Sequence, residues 1–209
     1  MTIKTTNPEL AQIQVEGMTR SSFMVRSALT AGALYGTTAV GPFVTRALAQ
    51  GGGDLDILNF ALTLEYLEAA FYTEGVKKAG LSGDNKKLAK QLRDDETAHV
   101  DALMKAIEGA GGKPVKAPGV DFGGAMKNEK AFLKLAQVFE DTGVSAYNGA
   151  GPAISSPDVL AAAGSIVQIE ARHAALIRLA NKDTPAPDAF DKALTTEEVL
   201  KAVKPFIKA

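Results

Sequence analysis

The 209-residue chain contains no cysteine, no tryptophan and only two histidines. Without cysteine there is no disulfide, no thiolate nucleophile, no zinc finger, no iron–sulfur ligation and no rubredoxin-type electron-transfer domain on this chain. Aromatic residues are scarce at 6%. Charge of either sign is not in excess: 23 basic and 24 acidic residues give a net charge of −1, with no basic cluster. The electrostatic footprint of a nucleic-acid binder is therefore missing. The apolar run at residues 28–44 is interrupted by Gly32, Gly36, Gly41 and Pro42, which makes it short and weak for a membrane span. What remains, 46% apolar and 22% charged residues, describes one ordinary globular domain with a sizeable core.

The two histidines carry the most information. Each stands three residues after a glutamate, in Glu96-Thr-Ala-His99 and Glu170-Ala-Arg-His173. Residues three apart on a helix lie on one face, so each pair offers a carboxylate and an imidazole to the same point. With 12 glutamates in 209 residues, the chance of both histidines being preceded this way is about one in 300. Two such pairs on facing helices are the half-sites of a carboxylate-bridged dinuclear metal centre.

Hairpin geometry supplies two further ligands. Glu65 and Glu96 lie symmetrically about Gly80-Leu81, and Glu140 and Glu170 about Ser155, both in turn-like sequence. In an antiparallel helix pair, residues equidistant from the turn share one height, here roughly 22 Å from it at the helical rise. Glu65 is thus expected to face Glu96, and Glu140 to face Glu170. The halves also match each other: Glu65 and Glu140 are 75 residues apart, as are Tyr72 and Tyr147, while Glu96 and Glu170 are 74 apart. A duplicated helix hairpin with one half-site per copy accounts for this.

The expected elements are helix 54–79 with Asp54 as N-cap, helix 84–109, a crossing loop over 110–125 rich in glycine and proline, helix 126–148, helix 157–181, a linker from Asp183, and a short helix 195–207 opened by a Thr195–Glu198 capping box. No strand-like alternation is present. Inward faces read Leu58, Ala61, Glu65, Glu68, Tyr72 on the first helix and Leu160, Ala163, Val167, Glu170, His173, Ile177 on the fourth. Short turn, long crossover, short turn is the connectivity of an all-α, ferritin-like four-helix bundle.

Residues 54–181 resemble the ferritin-like superfamily, and Leu64-Glu-Tyr-Leu-Glu-Ala-Ala-Phe-Tyr72 is similar to the desiccation-related branch of exported ferritin-like proteins. The resemblance implies a di-iron or di-manganese site held by Glu65, Glu96, His99, Glu140, Glu170 and His173, with every position filled by the right residue type. Burial argues the same way. Four inward carboxylates without an inward Lys or Arg at matching height cost several kcal/mol each, and two divalent cations neutralise them. Mixed carboxylate and imidazole ligands suit iron or manganese over a tetrahedral structural zinc.

The function expected is redox chemistry with a small oxidant, oxygen or peroxide, in stress protection. A manganese catalase-like enzyme and a non-enzymatic protein whose metal only stabilises the bundle remain open beside it, as does homo-oligomerisation. Roles are also open for Glu68 (ligand, exposed or supporting residue), for Tyr72 and Tyr147 (core packing or hydrogen bonding to a ligand), and for a gap at Gly143, the counterpart of Glu68. Gln168 and Asp94 are candidates to hold the outer nitrogens of the histidines, with others of the run Asp94-Asp95-Glu96 facing water.

Residues 1–49 read as an export segment. Thr19-Arg20-Ser21-Ser22-Phe23-Met24 resembles a twin-arginine signal with Ser21 in place of the second arginine, and Ala47-Leu-Ala49 is a small-x-small cleavage pattern. The implied partner is the export machinery and the implied location periplasmic or extracellular. A retained membrane anchor is the alternative, as is an arm packing Leu29, Leu34, Phe43 and Val44 against the bundle. Few contacts between this segment and the bundle are expected.

Overall fold

The helical periodicity of residues 54–181 becomes four long helices in the computed structural model, which describes residues 53–208. The expectations for residues 1–49 lie outside the described residues. The helices are α1 (Asp54–Lys78), α2 (Gly83–Gly109), α3 (Glu129–Ala150) and α4 (Pro157–Ala180), followed by a short α5 (Thr196–Val203). α1 packs along α2 and α3 along α4, and the crossover from 110 to 128 joins the two hairpins. Among the described residues no helix is long and apolar enough to cross a membrane.

Three expectations need correction. α3 begins at Glu129 and not at Met126, because residues Gly123–Lys127 form a 3-10 turn and the Asn128 side chain accepts the Ala131 N–H at 2.9 Å, capping the helix there. Asp54 is the first helical residue and Gly53 is the cap. The Asp54 carboxylate instead accepts the N–H groups of Ser155 and Ser156, both at 2.7 Å, which ties the α3–α4 turn to the start of α1. Leu160 is 47% exposed. The inward stripe of α4 passes through Val159, Ala163, Ile166 and Glu170, and Leu160 lies about 100° round the helix from Val159.

Glu129, the first residue of α3, repeats the role of Asp54. Its carboxylate accepts the Ser82 N–H at 2.9 Å and the Asn85 side-chain N–H at 3.0 Å, and so holds the α1–α2 turn. Each hairpin therefore clasps the turn of the other with an anion placed at a helix N-terminus, where the helix dipole also favours it. The crossover is fastened separately: buried Asn59 accepts the Val115 N–H at 2.9 Å. The C-terminal segment is part of the core. Val199 and Val203 of α5 are buried beside α3, and an isolated antiparallel bridge pairs Val120 with Ile207. The capping box at Thr195 and Glu198 forms as expected.

Apolar side chains gather into two clusters. One holds Phe71, Phe122, Phe132 and Phe139, with Leu92 and Ile177. Phe71 stacks on Phe132 at a centroid distance of 4.5 Å and meets Phe122 and Phe139 edge-on at 5.2 and 5.0 Å. The other holds Leu58, Leu62, Leu103, Ile107 and Ile166. On α2 and α4 the glutamates and histidines singled out above fall between residues of one cluster and residues of the other, and on α1 and α3 residues of both clusters surround the glutamates, so the polar layer lies inside the bundle amid apolar packing.

Gly75 allows the aromatic cluster to form: a Cβ at this position would stand 2.0 Å from Phe132 Cε2. Gly75→Ala, although a better helix former, should force Phe132 off its rotamer and destabilise the domain by about 1–3 kcal/mol. Urea denaturation followed by circular dichroism measures this; unchanged stability would mean that the ring repacks without cost.

Candidate metal centre

Glu65 on α1, Glu96 and His99 on α2, Glu140 on α3, and Glu170 and His173 on α4 meet in the middle of the bundle. The four glutamates are fully buried, and the histidines are 9% and 2% exposed. Helix periodicity does this work: the i, i+3 spacing puts each Glu-x-x-His pair on one helix face, and the hairpins bring the facing glutamates level, so that His99 meets its own Glu96 while His173 meets Glu96 and Glu140 across the bundle. His99 Nδ1 lies 2.9 Å from Glu96 Oε2, 3.1 Å from Glu170 Oε1 and 3.2 Å from Glu65 Oε2. His173 Nδ1 lies 2.9 Å from Glu96 Oε1 and 3.6 Å from Glu140 Oε2. All six predicted residues are brought together.

The six divide into two overlapping sets of four. One is Glu65, Glu96, His99 and Glu170; the other is Glu96, Glu140, Glu170 and His173. Within each, one ligand atom per residue lies within 4.8 Å of the others. Glu96 and Glu170 belong to both sets, which is the arrangement two cations bridged by two carboxylates require. Glu96 Oε1, Glu170 Oε1 and His173 Nδ1 are buried with only these imidazole–carboxylate contacts, and Glu140 Oε2 and Glu170 Oε2 are buried with no hydrogen-bond donor among the described residues. Such atoms are costly unless something other than a hydrogen-bond donor meets them. The donor set and its orphaned lone pairs fit cations with oxygen and nitrogen ligands, so the cluster is compatible with metal binding.

The tyrosines cross between the halves. Tyr72 on α1 donates its hydroxyl to Glu140 Oε1 on α3, and Tyr147 on α3 donates to Glu65 Oε1 on α1 at 2.6 Å. Both rings are packed in the apolar clusters, so core packing and hydrogen bonding to a candidate ligand are observed together. Burial, then the charge of the partner glutamate, holds both phenols far above their ordinary pKa, so they remain donors.

His173 is braced by Asp95 and not by either residue expected: its Nε2 lies 3.1 Å from Asp95 Oδ2. Asp94 points to the surface and pairs with Arg93 at 2.7 Å, and Gln168 is exposed. One residue of rotation, about 100° on a helix, separates Asp94 from Asp95. The matching position in the second half, 74 residues on, is Ile169, which has no polar side chain to offer His99. Glu68, whose burial was left open, is 3% exposed. At Gly143 a Cβ would stand 3.2 Å from both Glu68 Oε1 and Glu170 Oε2, and beside it the expected gap is a cavity of about 10 Å³ lined by Gly143, Glu68 and Phe139, room for no more than one water.

Protons hold the cluster together in the metal-free protein. Burial raises Glu65, with the charge of Glu170 adding to it, and raises Glu140, with Glu96 and Glu170 adding; both lie well above the ordinary carboxylate range. Burial opposes the imidazolium of His99, but hydrogen bonds to Glu170, Glu65 and Glu96 outweigh it and push the pKa up to about 12. Burial likewise works against ionised Glu96, yet hydrogen bonds from His173 and His99 bring it down to about 2.

A family model described as a ferritin-like domain matches residues 53–183. The chain belongs to this ferritin-like domain family. No curated protein matches it.

Two measurements check this geometry. The native cluster holds more protons than the unfolded chain above about pH 5, because the raised groups keep protons that free Glu and His release near 4.3 and 6.5. Stability of the metal-free protein should therefore fall as pH rises from about 5 to 8, while Glu96 acts in the opposite sense only below its unfolded pKa. Metal must displace the same protons, so its affinity should rise with pH and the gap in melting temperature between loaded and metal-free protein should widen. Scanning calorimetry across that range would contradict the cluster if the gap were constant. Separately, Asp95→Ala should weaken metal binding about tenfold or more with helix content unchanged, because the imidazole loses its orienting partner. Competition with a chromogenic chelator reads this directly, and wild-type affinity would rule out the brace.

Proposed function

We propose that this domain holds two ions of iron or manganese and uses them in redox chemistry with oxygen or peroxide. The observation that carries the reading is the pair of overlapping ligand sets that share Glu96 and Glu170. Glu65 with His99 would hold one ion, Glu140 with His173 the other, and the two shared glutamates both. Such a pair supplies electron transfer at each ion and open positions for a small oxidant.

The chain's own residues support that use in three ways. Tyr147 and Tyr72 each occupy one oxygen of Glu65 and Glu140, which leaves the second oxygen of each glutamate for coordination. Asp95 faces the Nε2–H of His173 and so fixes Nδ1 as the lone-pair nitrogen. The apolar clusters flank the layer, and the cavity beside Glu68, of about 10 Å³, suits a reaction partner of about water size.

His99→Ala and Glu170→Ala should each lower bound metal from two ions per chain and lower the melting temperature in the same experiment. Bound metal stabilises the native state by about 2.7 kcal/mol at a hundredfold excess over Kd. Elemental analysis with calorimetry tests the site, and metal stoichiometry unchanged by His99→Ala would count decisively against it. Steady-state assays with peroxide, and with Fe(II) and oxygen, test the chemistry. Peroxide disproportionation by the manganese form alone would make the catalase-like reading correct, and no turnover in any form would leave the metal as a stabiliser of the bundle.

A further inference from the structure

Five glutamates are buried among the described residues, and Glu68 is the one outside the six-residue set. It is 3% exposed, and its carboxylate makes no hydrogen bond or ion pair with any described residue. Its position is specific. Gly143 on α3 carries no side chain, and the oxygen of Glu68 and Oε2 of Glu170 converge on the space a methyl group would fill, each 3.2 Å from it. Glu170 Oε2 is itself one of the orphaned atoms of the cluster. Beside Glu68 lies a cavity of about 10 Å³, room for one water, walled by Leu64, Leu67, Phe139 and Val203.

We propose that Glu68 is a seventh metal-binding residue of this centre, a fifth carboxylate that binds a cation from the Glu170 side, with Gly143 leaving the room for it. This rests on the two-ion reading above and sharpens it. Four carboxylates neutralise two divalent cations; a fifth leaves one negative charge over, which suits a pair containing a trivalent ion. The site thereby favours metals that reach that state, iron and manganese, over zinc.

The test is Co(II) binding to the full chain, titrated against a chelator and read by visible d–d absorption, in wild type and in Glu68→Gln, a neutral side chain of the same shape. Binding of at least one ion should weaken about tenfold or more and the absorption bands should shift, while the circular dichroism of the metal-free protein is unchanged. A merely structural Glu68 would leave affinity and spectrum as in wild type, and that result overturns the proposal. Glu68→Ala decides in its place if the glutamine variant does not fold: alanine is a good helix former and removes the carboxylate without touching Glu170, so the same losses are expected without loss of helix. Wild type that takes up no Co(II) would overturn the two-ion reading along with this one. Wild type that binds two ions, with the deciding variant indistinguishable from it, would overturn the role of Glu68 alone.

Discussion

Like charges in a place without water set the terms for the rest of this bundle. Glu65, Glu96, Glu140 and Glu170 are fully buried within one small volume, with two imidazoles as their only cationic partners among the described residues. An unpaired buried charge costs several kcal/mol, a large share of the stability of a domain this size. The apolar layers on either side cannot lower that cost, because they offer no donors. They supply the packing energy that tolerates it. They also keep the helices at fixed height, so that the i, i+3 pairs remain level with one another.

Five side chains around this layer act in the same way, each joining one hairpin to the other. Tyr72 and Tyr147 reach across to the opposite glutamate. Asp54 and Glu129 each hold the turn of the opposite hairpin. Asp95 on α2 reaches His173 on α4. None is worth much alone, about 0.5–1.5 kcal/mol for a neutral pair and up to about 3 where a charge takes part. Together they fix the register between two hairpins whose direct helix contacts are thinner than those within each hairpin.

The gathering of these six residues was legible in the sequence because three independent regularities coincide on them. There are only two histidines, each is spaced for a helix face, and the glutamates mirror one another about two turns. Anything that depends on which faces meet between helices was not. Asp94 and Asp95 are equivalent by composition and spacing, and only the rotation of α2 against α4 selects Asp95. The tyrosines were visible as a repeat, but their partners lie 68 and 82 residues away, beyond any local pattern. Leu160 fits the stripe drawn from α4 alone and misses the one the packed bundle uses. The contribution of Val199 and Val203 to the core was equally hidden, since a short helix after a linker gives no sign of where it docks.

The crossed tyrosines and the crossed turn clasps mean that neither hairpin is complete alone: each carries the missing part of the other. Two identical copies of one hairpin would satisfy every one of these exchanges as a symmetric dimer, but any substitution would then appear twice. Joining the copies in one chain removes that restriction. Glu68 stands opposite Gly143 and Asp95 opposite Ile169, so the two ends of the polar layer differ in charge, bulk and support. A symmetric dimer would make the two overlapping sets of acidic and imidazole side chains identical. Covalent linkage is what permits the two sets to become unequal.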